Sequence, residues 1–146
     1  MKFAIIGATG NVGRKTVEVL DKSDLKIDTL YLIASDKSTG REITFRNKSI
    51  KVINLDAYDF GNAKITFFAA GSKLSEKYAK EASKKTIVID NSKFFRMDKE
   101  VPLVVPEVNK KDINNHKNLI ANPNCSTIQM VVALKPLHDS YKIKRV

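Results

Sequence analysis

A chain of 146 residues is long enough for one domain with a hydrophobic core, but short for two. Its 42% apolar and 29% charged residues are typical of a globular protein. No apolar run approaches the roughly 18 residues of a membrane span, and a glycine-rich turn lies where a signal peptide would be apolar. The 26 Lys and Arg exceed the 16 Asp and Glu but are spread thinly, without the basic stripe of a nucleic-acid binder. We therefore expect a cytoplasmic protein that binds neither nucleic acid nor membrane.

The first two thirds of the chain predict strands alternating with helices or loops. Residues 3–6 form an apolar run that ends at a glycine, which is typical of a buried parallel strand before a tight turn. Helices are expected over 11–20 and 75–85, and strands over 28–35, 49–55, 64–70 and 86–92. This alternation favours an α/β fold of the Rossmann type, with a doubly wound, mostly parallel sheet.

The last third of the chain predicts a less regular arrangement. Residues 101–109 are expected to be extended, because their two prolines disfavour helix in the preceding residues. A short strand is expected over 119–122, followed by a long helix over roughly 126–141. Pro136 should kink or break that helix, and 143–146 should begin a further strand.

Gly7, Gly10 and Gly13 follow the first predicted strand and open the first predicted helix. Glycine allows the tight turn and lets the backbone approach a pyrophosphate closely, while the helix N-terminus offers free N–H groups to phosphates. A glycine triplet alone would also suit a turn without a ligand. The strand before it and the helix after it favour dinucleotide binding.

The end of the second predicted strand bears on the identity of the cofactor. An acidic residue there usually binds the ribose 2′-hydroxyl of NAD, whereas basic and hydroxyl side chains accommodate the 2′-phosphate of NADP. Asp36 favours NAD. Ser35, Lys37, Ser38 and Arg41 favour NADP. The balance favours NADP, with a solvated loop as the alternative.

Cys125 is the only cysteine and lies at the start of the long predicted helix. Unpaired N–H groups at a helix start favour a thiolate, the nucleophile that forms a thioester. Asn122 and Asn124 flank it with amide donors suited to a substrate or an oxyanion. A buried structural cysteine is the alternative. Neither histidine is a convincing base, since His138 lies about 20 Å along the same helix and His116 lies in a polar stretch.

Several segments together resemble the aspartate-semialdehyde dehydrogenases, and the similarity covers essentially the whole chain. They are "IIGATGNVG", "LIASDKSTGREITF", "VIDNSKFFRMD", "VPLVVPEVN" and "LIANPNCSTIQMVVALKPLHD". The last two are highly specific to this family.

The resemblance implies a set of site residues and no metal site. Cys125 would be the acyl-thioester nucleophile, and Arg96 would bind phosphate, with Asn124 beside the cysteine. The implied cofactor contacts are Thr9, Gly10, Asn11 and Val12 at the phosphates, Lys37 and Ser38 at the 2′-phosphate, and Ala70 and Gly71 along the cofactor. Gly7, Gly13 and Ser35 complete the predicted cofactor site.

The implied activity is NADP-dependent reductive dephosphorylation of β-aspartyl phosphate to aspartate semialdehyde, in the biosynthesis of lysine, threonine, methionine and diaminopimelate. Family members continue for roughly another 200 residues, in keeping with two domains of usual size. That part carries the histidine acid/base, further substrate-binding residues, the dimer-forming sheet and a helix that packs back onto the cofactor domain.

We therefore expect a dinucleotide-binding domain over 1–122 and, over 123–146, only the beginning of a catalytic and dimerisation domain. The chain is expected to be a fragment or a truncated product, inactive by itself, and homodimeric or self-associated. Two alternatives stay open at this point. One is a non-catalytic NADP-binding remnant, and the other is the related N-acetyl-γ-glutamyl-phosphate reductase.

Overall fold

The computed structural model describes all 146 residues and contains eight strands and four α-helices. The strands are β1 (Lys2–Ile6), β2 (Thr29–Ala34), β3 (Glu42–Phe45), β4 (Lys48–Lys51), β5 (Ile53–Asn54), β6 (Ile65–Phe68), β7 (Ile87–Asp90) and β8 (Leu119–Ala121). The helices are α1 (Asn11–Asp21), α2 (Ser72–Ser83), α3 (Pro106–Asn109) and α4 (Cys125–Tyr141). None of these helices combines the length and the hydropathy that crossing a bilayer requires.

Six of the strands form one sheet in the order β5-β2-β1-β6-β7-β8, and every neighbouring pair in it is parallel. From β1 the chain builds outward through β2 to β5, then returns to the other side of β1 and continues through β6 and β7 to β8. This is the doubly wound topology, and the predicted Rossmann-type α/β fold is confirmed. Its topological switch point, where ligands bind in such folds, lies at the carboxyl ends of β1 and β6.

The two faces of the sheet are covered by different helices. Alternate residues of a strand point to opposite faces, and in β1 the side chain of Ile5 belongs to one buried cluster and that of Ile6 to another. Val17 of α1 packs in the cluster of Ile5. Ala79 of α2 packs in the cluster of Ile6, together with Phe68. Each helix thus supplies the apolar stripe for one face.

The face that α1 covers is only half covered. Side chains of β6 and β7 that point to the α2 face are buried, whereas those that point to the α1 face are partly exposed; the latter are Ile65, Phe67, Ile87 and Ile89. Phe67 and Ile89 line an open groove of about 510 Å³, whose other wall includes Val12 and Val19 of α1. Parallel sheets are normally covered on both faces, so this groove is an incompletely covered part of the core.

The predicted third strand over 49–55 is wrong as a single element. Residues Lys48–Lys51 pair with the unpredicted β3 as an antiparallel hairpin, and only Ile53–Asn54 join the main sheet. The hairpin turn is Arg46–Asn47, with φ of 48° and 61°, the left-handed values that a two-residue hairpin turn requires. The Arg46 guanidinium donates hydrogen bonds to the carbonyl oxygens that follow α1, which attaches the hairpin to that helix.

Three expectations for the rest of the chain are corrected. The 101–109 segment is not extended throughout, because Pro106 begins α3 at a position where its missing N–H costs nothing. Of the kink or break expected at Pro136, the break is wrong, since α4 continues through this residue to Tyr141, and the kink stays a prediction. Residues 143–146 form no strand, because no other strand lies beside them to pair with. The domain boundary at residue 122, between β8 and α4, stays a prediction.

Candidate functional site

The predicted cofactor, phosphate and nucleophile residues all lie in the loops that follow β1, β2, β6, β7 and β8, or in the first turn of the helices that these loops open. Because these strands are parallel and neighbouring, the loops after their carboxyl ends share one edge of the sheet. This edge includes the glycine turn, the segment from Ser35 to Ser38, the pair Ala70–Gly71, Arg96 and the start of α4. The fold therefore gathers residues from distant parts of the sequence into one region.

The glycine turn after β1 is packed too closely for side chains at two of its positions. A Cβ on Gly7, which has φ of +84°, would lie 2.8 Å from the carbonyl oxygen of Ala69. A Cβ on Gly13 would lie 2.1 Å from the carbonyl oxygen of Gly7. At Gly10 the nearest atom would be 3.4 Å away, so glycine is not sterically required there.

Gly10 is also the N-cap of α1, and no side chain caps this helix. The first N–H groups of a helix have no partner within it, so those of Asn11 and Val12 are free to donate to an anion. The partial positive charge of the helix N-terminus adds to this preference. The turn therefore has the geometry that binds a pyrophosphate.

A cavity of about 280 Å³ lies beside this turn. It is lined by the ends of four strands and by α2; the residues are Ile6, Gly7, Ala34, Ser35, Asp36, Asn54, Leu55, Asp56, Ala70, Leu74, Lys77 and Tyr78. Of the predicted cofactor residues, Gly7, Ser35 and Ala70 face this cavity. The Thr9 hydroxyl donates to the Ser38 hydroxyl at 3.3 Å and so joins the loops after β1 and β2. Lys37 is exposed.

Sequence reasoning missed one side of this cavity. Asn54 ends β5, Leu55 and Asp56 follow it, and the Tyr78 hydroxyl donates a hydrogen bond of 3.3 Å to Asp56. The sequence signal for these residues is weak, since β5 has only two residues and was merged with β4 into one expected strand. The change from hydrophobic to polar residues at Asn54 is the one feature that marks the end of a strand.

The cysteine region is built around a helix cap. Asn124 precedes α4, and its side-chain oxygen accepts a hydrogen bond from the backbone N–H of Ser126 at 2.9 Å. Its amide nitrogen has no partner and stays available to a ligand. Cys125 is the first residue of α4 and is exposed, so a structural cysteine buried in the core of this chain is excluded. The thiol is accessible at a helix N-terminus, which is the setting of a reactive cysteine.

Arg96 is held between the loops after β7 and β8. Its Nε donates to the carbonyl oxygen of Asn122 and its Nη2 to that of Asn91, each at 3.0 Å. The side chain of Asn122 in turn donates to that of Asn91 at 2.9 Å. Arg96 is therefore a partly buried and oriented cation, and its Nη1 is the guanidinium nitrogen left to bind an anion.

Asp90, at the end of β7, is a further residue that sequence reasoning missed. Its carboxylate is fully buried and accepts hydrogen bonds from the Ser75 hydroxyl and from the backbone and hydroxyl of Ser92. Burying a charge is tolerated only when it is well hydrogen-bonded. Asp90 thus fixes the loop that carries Asn91 and Arg96, and an acidic residue ending an apolar strand was its signal in the sequence.

The two histidines lie outside this region, and no metal-binding cluster is present. His116 accepts a hydrogen bond from the backbone of Asn118 in a turn, and His138 lies near the far end of α4. No group of three or more His, Cys, Asp and Glu side chains is arranged to hold a metal ion. The candidate site therefore consists of a dinucleotide-type turn, its cavity, an oriented arginine and a thiol.

Comparison with known proteins bears on these features. The family described as "Semialdehyde dehydrogenase, NAD binding domain" matches residues 2–116. The chain belongs to this family. As a semialdehyde dehydrogenase NAD-binding domain, it takes a nicotinamide cofactor.

Curated relatives extend the match over the whole chain. An aspartate-semialdehyde dehydrogenase of Campylobacter jejuni is 50% identical over 150 residues, which cover 99% of this chain and 44% of that protein. One from Bacillus subtilis is 44% identical and covers all of this chain and 42% of its own length. The resemblance to this enzyme family is confirmed. This chain spans less than half the length of these curated relatives.

Solved structures show the same architecture. Aspartate semialdehyde dehydrogenase II of Vibrio cholerae, complexed with ASA, has a TM-score of 0.93 and 46% identity over 95% of this chain and 46% of that one. The enzyme of Candida albicans with NADP has a TM-score of 0.79 and 28% identity over 97% of this chain and 48% of that one. The NADP in the second structure agrees with a nicotinamide cofactor for the family.

Proposed function

We propose that this chain is the cofactor-binding and nucleophile-bearing part of an aspartate-semialdehyde dehydrogenase. The activity would be the NADP-dependent reductive dephosphorylation of β-aspartyl phosphate to aspartate semialdehyde, a step in the biosynthesis of lysine, threonine, methionine and diaminopimelate. The observation that carries the proposal is the placement of a dinucleotide-type turn and the exposed Cys125 at one edge of one sheet. Two reactants held at one edge can react as if in a single molecule.

The residues present fit a nicotinamide dinucleotide. The close packing at Gly7 and Gly13 leaves the turn without side chains that would displace a pyrophosphate, and the uncapped start of α1 supplies donors to it. Ser35, Lys37 and Ser38 would bind the 2′-phosphate, which supports NADP rather than NAD. Ala70 and Gly71 would lie along the cofactor.

Cys125 supplies the covalent chemistry. Its thiolate would attack the carbonyl carbon of β-aspartyl phosphate, forming a C–S bond as the C–O bond to phosphate breaks. The departing phosphate would meet the free Nη1 of Arg96, and the free amide N–H groups of Asn124 would orient the carbonyl oxygen. When bound, the reduced nicotinamide supplies the hydride that converts the thioester to the aldehyde and releases the thiolate.

The isolated 146-residue chain is proposed to lack this activity. Acid–base help is worth about 10² to 10⁴-fold, and neither histidine lies near Cys125. We also propose self-association, as a homodimer or a larger species, because α4 contributes no buried residue and exposes Met130 and Leu137 by 46% and 50%. The proposed location is the cytoplasm.

A chimaera tests the proposal. This chain would be joined to the portion of the Campylobacter jejuni relative that follows its matched region, and NADP reduction by aspartate semialdehyde would be followed with and without phosphate. We expect phosphate-dependent turnover that Cys125→Ser abolishes while NADP binding and thermal stability stay unchanged. A folded chimaera that binds NADP without turnover would instead indicate a non-catalytic remnant. Turnover only with N-acetylglutamate semialdehyde would indicate the related reductase.

A further inference from the structure

Asn54 contacts Asp36 at the edge of the cavity beside the glycine turn. β5 pairs with β2 so that Asn54 lies opposite Ala34, two residues before Asp36. The Asn54 side-chain nitrogen donates to Asp36 Oδ1 at 3.1 Å. Its side-chain oxygen accepts from the backbone N–H of Asp56 at 2.9 Å. Asn54 is thus held by the main chain on one side and holds a carboxylate on the other.

Asp36 occupies the position at which a dinucleotide-binding fold discriminates between cofactors. An acidic side chain after the second strand accepts a hydrogen bond from the ribose 2′-hydroxyl and repels a 2′-phosphate. The neighbouring Lys37 and Ser38 favour the phosphate instead. The loop thus contains one side chain that favours NAD and two that favour NADP. The orientation of the Asp36 carboxylate decides which preference is expressed.

The backbone of the loop that carries Asp36 is itself held by hydrogen bonds. The 36–38 segment is one turn of 3-10 helix, closed by hydrogen bonds from Ser38 N–H to Ser35 O at 2.9 Å and from Thr39 N–H to Asp36 O at 3.0 Å. Asp36 takes part in none of the ion pairs of the chain, and its carboxylate has no hydrogen bond other than that from Asn54. Rotation of the Asp36 side chain is therefore the freedom that remains, and Asn54 restrains it.

We propose that Asn54 sets the cofactor preference by holding the Asp36 carboxylate on the β5 side of the cavity, so that a 2′-phosphate can bind. This inference rests on the proposed preference for NADP. Asn54 acts here as a positioning residue, through Asp36, and its own contact with the cofactor is not required. Release of Asp36 brings a negative charge towards the 2′-phosphate and an acceptor towards a 2′-hydroxyl.

The test uses the whole 146-residue chain, labelled with ¹⁵N and titrated separately with NADP⁺ and NAD⁺, with the ratio of the two dissociation constants as the readout. The unaltered chain should bind NADP⁺ more tightly. Asn54→Ala should reduce that preference about fivefold, the size that a Coulomb interaction between partly solvated charges a few ångströms apart allows. Asn62→Ala, at an exposed asparagine without side-chain hydrogen bonds, should leave the ratio unchanged.

A second pair of variants separates positioning from a local structural effect. Asn54→Ala also removes the acceptor of the Asp56 N–H, which could weaken both cofactors equally. Asp36→Ala should keep or raise the NADP preference, and in that background Asn54→Ala should no longer change the ratio. An unchanged ratio in Asn54→Ala alone, or an equal change with and without Asp36, would overturn the inference. If the unaltered chain shows no preference for NADP⁺, the proposed cofactor itself is wrong and the inference fails with it.

Discussion

The loops around the glycine turn and the segment that carries Cys125 share one edge of the sheet but are held very differently. Around the turn the main chain is so closely packed that a Cβ on Gly13 would lie 2.1 Å from a carbonyl oxygen. α4, by contrast, has no buried residue, and its thiol is exposed. Within this chain the loops around the glycine turn are fixed by packing, whereas Cys125 is placed by a helix cap at Asn124 and the short strand before it.

Of the changes considered, Gly13→Ala should lower the free energy of unfolding the most, because it lies in the closely packed turn. The added methyl group would overlap the carbonyl oxygen of Gly7, and neither backbone segment can move without separating α1 from β1. We expect the free energy of unfolding to fall by about 3 kcal/mol, the upper part of the usual range for overpacking. Urea denaturation measures this. Gly10→Ala is the matched control, with less than about 1 kcal/mol expected, and equal losses in both variants would contradict the packing argument.

Asp90→Asn should have the next largest effect. An amide keeps the shape of the side chain but turns one acceptor into a donor, so that even with its oxygen placed to accept from Ser75 and from the Ser92 backbone, the buried Ser92 hydroxyl loses its acceptor. A loss of about 2 kcal/mol is expected. Asp98→Asn changes a half-buried carboxylate that accepts a hydrogen bond from Glu100 N–H and lies 3.8 Å from Lys80 Nζ; the amide oxygen can still accept from Glu100 and the ion pair is weak, so the cost should be less than about 1 kcal/mol. If the two variants melt alike in urea, Asp90 does not anchor the loop.

Changes to α4 should affect association rather than folding. Replacing Met130 and Leu137 together by lysine adds two charges to an exposed surface, so the unfolding free energy should change by about 0.5 kcal/mol or less. Light scattering should show a shift towards the monomer, with about a tenfold weaker association. Leu25→Lys makes the same kind of change at an exposed leucine in the turn after α1, away from α4, and should not alter association. A monomeric unaltered chain would remove the basis of this prediction.

The pKa values of the paired carboxyl groups should be lowered in the same way on α1 and on α4, because on both helices the groups are exposed and pair with lysine. Glu18 on α1 is paired with Lys15 and Lys22, whose hydrogen bonds and charges lower its pKa to about 2. On α4 the hydrogen bond and charge of Lys135 lower the pKa of Asp139. Carboxylates with lowered pKa values stabilise the fold above their unfolded pKa, and this contribution is lost as pH falls through the folded value.

NMR titration of Glu18 and Asp139 measures the two pKa values. Both midpoints should lie below the values of free Asp and Glu, and both should rise when salt is added, because exposed pairs are screened. Lys22→Ala and Lys135→Ala should each raise the midpoint of the paired residue alone. A shift that resists high salt would mean that one of these helices is less exposed than the structure shows.

The sequence predicts the sheet and the glycine turn because both are encoded locally. The apolar runs of β1, β6 and β7 are bounded by glycine or polar residues, and the glycine spacing follows a strand. The antiparallel hairpin escapes prediction because its turn uses Arg46 and Asn47 in the left-handed conformation without glycine, whereas glycine is the usual signal. Two tandem strands with a single residue between them then resemble one.

In the candidate site, too, features that depend on adjacent residues can be predicted and those that depend on distant residues cannot. The exposed position of Cys125 at a helix start can be predicted because the cap residue Asn124 and the cysteine are adjacent in the chain. The environment of Arg96 cannot, since its partners are main-chain carbonyls of Asn91 and Asn122, which two different loops supply. The contact between Asn54 and Asp36 depends on the alignment of β5 with β2, which no local pattern specifies.

The central position of β1 has a consequence for how the polypeptide folds as it is synthesised. β1 is synthesised before both of its neighbours, β2 and β6, and its Phe3 lies opposite Ile65. Such long-range parallel pairings are slow, because a long loop must close before any contact forms. The nascent N-terminal strand therefore keeps an unpaired edge until some sixty further residues have emerged. During that interval, chaperone binding or aggregation at residues 2–6 competes with productive folding.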